Sequence, residues 1–172
     1  MKLLFNKKYN KYVIIHILLF LSSSIIGFFL GSIVGDIGNI PFLDKPFYAY
    51  FFHNIVSCFT LIGFGIITYG FLTWLPLIYN GAVLGMAINF LAYYHSTKEI
   101  LIYFSHAIFE IPALILSIYL GKVIAVEIKS LLVLVFKRKK INNTNFKNIL
   151  TIMLIMVVLL FVASVIEAIP KV

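Results

Sequence analysis

The stretch SHAIFEIPALI, Ser105 to Ile115, sets a histidine, a glutamate and a proline inside a run apolar enough for lipid. Apolar residues continue on both sides, so the run from about Ile100 to Gly121 reaches the roughly 20 residues that a helix needs to cross a bilayer core. A charge at membrane depth costs at least about 2.5–3.5 kcal/mol on insertion scales. Glu110 is therefore expected to face the inside of a helix bundle, protonated or paired. His106 and Glu110 are four residues apart and share one helix face. Pro112 has no amide hydrogen for the carbonyl of Ile108, and a kink is expected there.

The rest of the chain has the same character. Of its 172 residues 62% are apolar and its mean hydropathy is +1.07, whereas a soluble domain is about 45–50% apolar. The expected fold is all-α: a single polytopic membrane domain, 1–172, of about five transmembrane helices. The spans are expected at about 12–35, 47–74, 76–94, 100–121 and 146–169. Lys2, Lys7, Lys8 and Lys11 precede a run too long for a signal peptide, so that run is expected to stay as the first span. The lone Cys58 has no intrachain disulfide partner.

The net charge of +8 does not point to nucleic acid, because the basic residues flank apolar spans. Lys2, Lys7, Lys8, Lys11, Lys122, Lys129, Lys137, Arg138, Lys139, Lys140 and Lys147 fall on one side of a five-span chain. The other side holds Asp36, Asp44, Lys45, Lys98 and Glu99. By the positive-inside rule the N-terminus is expected in the bacterial cytoplasm and the C-terminus outside. Thr73 to Leu75 would then form a tight cytoplasmic hairpin. Ser130 to Phe136, followed by KRKK, either extends the fourth helix or lies along the inner membrane surface, where basic residues attract anionic headgroups.

Ser23, Gly27, Gly31 and Gly35 recur every four residues, and Gly81 and Gly85 repeat the pattern in the third span. Small residues let helix backbones approach closely in lipid. These stripes are expected to pack within the bundle, with a partner helix as the alternative. Gly63, Gly65 and Gly70 would favour a bend in the second span.

Counting depth along the helices brings His53, Asn54, Asn89, His106, Glu110 and Glu167 to the outer half of the membrane, with Asn80 deeper. His106 lies roughly 9 Å along its helix from the outer start. Three readings are open for this cluster: interhelical hydrogen-bond glue, a metal or proton site, or a polar path or docking site for a substrate or partner. No nucleophile is paired with a base, and Gly63 to Gly65 is too short for a nucleotide loop. No catalytic residue, metal or cofactor is assigned, and the protein is expected not to be an enzyme.

Several short motifs carry a family resemblance. SHAIFEIPALI is similar to the PHG-x-x-E-x-P-A signature of the stage II sporulation protein M family, also called the DUF95 family. YNGAVLG, Tyr79 to Gly85, resembles its NG-x-x-x-G stretch through Asn80, Gly81 and Gly85. His53–Asn54 resembles its NN pair. VIEAIP, Val165 to Pro170, resembles its I-E-A-x-x-P ending through Glu167 and Pro170. Ser105, Ala107 and His53 depart from the family pattern. The matches run in order over about two thirds of the chain, from Asn54 to Pro170.

The resemblance implies a non-enzymatic membrane scaffold or accessory subunit of a multiprotein complex. Its partners would be the lipid bilayer and other membrane or cell-envelope proteins. In endospore formers the namesake works with peptidoglycan-degrading sporulation proteins. Small members are encoded beside circular bacteriocins. The alternative is therefore a transporter or channel-like component for maturation or export of, or immunity to, such a peptide, with ABC transporter subunits as partners.

Overall fold

A computed structural model describes residues 7–35, 45–137 and 146–169. Lys2, Asp36, Asp44, the Arg138–Lys140 run and Pro170, all used above, lie outside the described residues. Six helices occur among the described residues: α1 Lys7–Val34, α2 Phe47–Ile67, α3 Trp74–Ala92, α4 Thr97–Tyr103, α5 Ala107–Lys137 and α6 Phe146–Glu167. All but α4 are long and apolar enough to cross a membrane. The fold is all-α, and the chain is a multi-pass membrane protein. Lipid suits the exposed faces, which carry large apolar side chains such as Phe29, Ile33, Val56, Ile67, Leu154 and Val158.

The helix ends follow local chemistry. α1 stops at Gly35, whose φ of +78° is the left-handed conformation that glycine adopts without cost. Its N–H closes on the Gly31 carbonyl at 3.1 Å. The expected second span, 47–74, is corrected at its C-terminal end. α2 ends at Ile67, because Tyr69 and Gly70 both have positive φ, 55° and 79°, and Gly70 N–H closes back on the Gly65 carbonyl at 2.7 Å. Pro76 falls in the first turn of α3, where no intrahelical amide bond is lost.

The fourth span differs more. The run from Ile100 is split into α4 and α5 with a break at 104–106, where Ser105 donates its hydroxyl to the Ile102 carbonyl at 2.8 Å. α5 begins at Ala107 and runs through Pro112 without ending there, so the interruption lies upstream of the proline. α4 is opened by Ser96 and Glu99 in a capping box. Ser96 N–H donates to Glu99 Oε2 at 2.8 Å, and these bonds hold the Glu99 carboxyl below its ordinary pKa. Of the two alternatives for Ser130 to Phe136, the structure has the first: the segment continues α5.

α1 packs chiefly on α3, while α5 lies against both α2 and α6, which also touch each other. Close contacts give the directions. Gly81 lies against Ser23, Gly27 against Ala82, and Gly31 against Asn89, so α1 and α3 run parallel. Gly65 meets Gly121, and Lys122 meets Tyr69 in the turn that follows α2, so α2 and α5 are also parallel. Ser117 Oγ lies 3.1 Å from Met156 Sδ, and His106 meets Glu167, so α6 is antiparallel to α5.

The core is built where these helices converge, from Cys58, Leu61, Leu77, Ile118, Leu120, Met156 and Leu160. Its buried serines satisfy their hydroxyls on their own helices. Ser117 donates to the Ala113 carbonyl at 2.8 Å and Ser164 to the Leu160 carbonyl at 2.7 Å, as a water-free interior requires.

Gly27, Gly31, Gly81 and Gly85 all lie at the α1–α3 contact. Gly35 does not: a Cβ there would meet nothing within 4 Å, and its role is to end α1. Gly63 likewise faces open space. The close contact of Gly65 with Gly121 has no counterpart in the stripes read from sequence.

Candidate functional site

Two polar assemblies lie inside the bundle, one at each end. The first is at the end where α2 and α5 begin and α6 finishes. His106 precedes α5, and its carbonyl accepts from the amides of Phe109 at 3.0 Å and Glu110 at 3.1 Å. Its Nε2 is 3.6 Å from Glu110 Oε2 and 4.0 Å from Glu167 Oε1. The side chains are 12%, 25% and 23% exposed respectively, so the group opens to the surroundings rather than being sealed in the core.

The two carboxylates sit in opposite helix fields. Glu110 is in the first turn of α5, where the positive end of the helix dipole favours an anion. Glu167 is the last residue of α6, where the dipole disfavours one. Glu167 therefore gains nothing from its own helix end, and His106 Nε2 lies 4.0 Å from its carboxylate.

Asn54 stands at the same level. Asn54 and Glu110 each lie eleven residues before the glycine at the α2–α5 contact, Gly65 and Gly121, and the two helices run parallel. Asn54 is buried at 4% exposure, and its Nδ2 has no hydrogen-bond partner. Cys58, one turn further along α2, is within electrostatic reach of Glu110.

The expected convergence of six residues is corrected in two places. His53 is exposed: adjacent residues on a helix point about 100° apart, so burying Asn54 turns His53 outward. Asn89 is committed to α1, donating from Nδ2 to Ser32 Oγ at 2.8 Å. Asn80 donates to the Pro76 carbonyl of its own helix at 2.7 Å. Pro112 lies two residues past Glu110 in α5.

An imidazole between two carboxylates can hold protons and pair charges across helices. Among the described residues no group of three His, Cys, Asp or Glu is arranged to hold a metal ion. The Ser105 hydroxyl is given to Ile102 and that of Ser117 to Ala113, so neither is set against His106 as a nucleophile.

The second assembly, at the opposite end, was not read from the sequence. His16 is 5% exposed. Its Nδ1 is 2.8 Å from the Tyr12 carbonyl and its Nε2 is 2.9 Å from Thr73 Oγ1. A carbonyl only accepts, so Nδ1 carries a hydrogen; in the neutral ring Nε2 then accepts from the Thr73 hydroxyl. The Tyr12 hydroxyl lies 2.8 Å from the same Thr73 oxygen and 3.1 Å from the Gly70 carbonyl. These bonds tie the start of α1 to the α2–α3 turn. A lone histidine within the apolar first span was the available signal.

No solved structure matches this chain. An uncharacterized protein of Methanocaldococcus jannaschii is 29% identical over 135 residues, which cover 77% of this chain and 75% of that protein. The family described as stage II sporulation protein M matches residues 16–169. That range begins at His16 and ends two residues after Glu167, so it takes in the first polar assembly, His16 and Thr73 of the second, and the glycine contacts. Over this extent of agreement, the chain belongs to the stage II sporulation protein M family.

Proposed function

We propose that this protein is a non-enzymatic accessory subunit or scaffold of a multiprotein complex in the bacterial cytoplasmic membrane. One observation carries the reading: the family match coincides with the helix bundle itself, residues 16–169. The matched range therefore spans the membrane bundle. The His106–Glu110–Glu167 group, partly exposed at one end, is the proposed contact point with other membrane or cell-envelope proteins. No observation favours the bacteriocin-associated transporter, and that alternative is not carried forward.

The test is in-cell crosslinking. A photoreactive residue at Ile108, which is 72% exposed on the first turn of α5, is expected to give a discrete crosslink to another membrane or envelope protein. The crosslink should weaken when Glu110 is replaced by leucine. Crosslinks to lipid alone would overturn the proposal.

The proposed orientation places the N-terminus and the α2–α3 turn in the cytoplasm, with the chain leaving α6 on the outside. Lys11, Lys122, Lys129 and Lys147 gather at the turn's end of the bundle, in support of this reading under the positive-inside rule. In a Cys58→Ala background, an impermeant thiol reagent added to whole cells should label Lys45→Cys and spare Ser130→Cys. The reverse pattern would invert the topology.

A further inference from the structure

We propose that Lys122 and Lys129, gathered at the ring of Tyr69, form a binding site for the phosphate of an anionic phospholipid headgroup. The turn at 68–73 joins α2, which ends at Ile67, to α3, which starts at Trp74. Because it closes two membrane-crossing helices, it lies at headgroup depth. Tyr69 and Trp74 are exposed there, as aromatic residues at membrane interfaces commonly are.

Two cations reach this point from α5. Lys122 Nζ donates to the Tyr69 carbonyl at 2.6 Å and lies 4.1 Å from the centre of the Tyr69 ring. Lys129 Nζ lies 5.3 Å from the same ring centre. The lysines are seven residues apart, roughly 10 Å along the helix, yet both bend to one ring.

The position of Lys122 is built into the turn. A Cβ on Gly70 would come 2.6 Å from the Lys122 Cδ and 2.9 Å from the Tyr12 hydroxyl. Glycine at 70 therefore leaves the place where the lysine stem lies. The apolar stem rests on the protein while the ammonium reaches the polar layer.

Two ammonium groups drawn to one ring, 4.1 and 5.3 Å from its centre, repel each other, and an exposed aromatic face attracts a cation only weakly. A phosphate between them would offset that repulsion. The other described charges nearby are Lys11, exposed beside Tyr12 on α1, and Glu127, half-buried on α5. Three lysines against one glutamate leave a local charge of +2. The inference depends on neither the proposed function nor the proposed orientation, since headgroup phosphates occupy both membrane surfaces.

Native mass spectrometry of the detergent-purified protein, titrated with phosphatidylglycerol or phosphatidylcholine, tests the site. One lysine near an anionic surface contributes about fivefold in affinity. Lys129→Gln should therefore weaken phosphatidylglycerol binding about fivefold, and Lys122→Gln/Lys129→Gln roughly 25-fold. The charge-keeping Lys122→Arg/Lys129→Arg pair and Lys98→Gln, at the opposite end, should bind like wild type. Lys129→Gln, an exposed position, keeps the test readable if the double variant folds poorly. Equal binding of phosphatidylcholine, an equal loss in Lys98→Gln, or no loss in Lys129→Gln would overturn the site. Competition by inorganic phosphate at the lipid's own concentration would overturn its assignment to lipid.

Discussion

Replacing Gly27 with leucine is expected to deplete the folded protein in the membrane several-fold, while Gly63→Leu leaves it nearly unchanged. A Cβ at Gly27 would overlap the Ala82 backbone, and one at Gly85 would overlap the backbone of Ser24 and Phe28. Backbone atoms cannot rotate away as a side chain can, so the helices must separate. Overpacking of this kind costs about 1–3 kcal/mol or more in a packed interior. In lipid no hydrophobic drive holds the separated pair together. α1 packs chiefly on α3, so losing that contact loosens most of its length. Gly63 has no atom within 4 Å of a built Cβ, which makes it the internal control. Fluorescence-detected size exclusion of tagged variants reads the folded fraction. Equal behaviour of the two variants would remove the close approach as the basis of α1–α3 packing.

The second large effect is expected at Glu110. Glu110→Leu removes the carboxylate 3.6 Å from His106 and keeps the 4.0 Å contact with Glu167. The His106–Glu110 contact is a partly exposed pair at 3.6 Å, longer than a hydrogen bond; such pairs contribute up to about 1 kcal/mol, so this variant should lower folded yield up to about fivefold. Glu110→Gln keeps the shape and an amide that can bond the imidazole, and it should accumulate like wild type. The crosslink from Ile108 then separates the two roles. If the carboxylate acts only in packing, Gln retains the crosslink. If its charge or its proton is recognised, Gln loses the crosslink while the protein still accumulates. Full folding and full crosslinking in Glu110→Leu would leave Glu110 with neither role.

The outline of this protein was legible before any coordinates. In a bilayer every backbone amide and carbonyl must be paired within its own segment, so a long apolar run can only be a helix. Counting apolar residues therefore sufficed for five spans. The motifs around Asn80, His106, Glu110 and Glu167 carried the family. The spacing of Gly27 with Gly31 and of Gly81 with Gly85 showed that close contacts exist, because small residues at helical spacing form a stripe on one face.

What the sequence could not contain was the rotation of each helix about its axis and the choice of its neighbour. Both are set by all the side chains packed around it. Asn54 is turned inward and His53, the next residue, outward. Asn89, at the depth of the polar cluster, bonds Ser32 on α1 instead. Gly65 and Gly121, with no stripe to announce them, meet because α2 and α5 run side by side. His16 finds Thr73 across 57 residues of chain. Apolar content is a property of each segment and can be read from it alone. Which residues meet depends on pairs of segments, and only the folded bundle decides that.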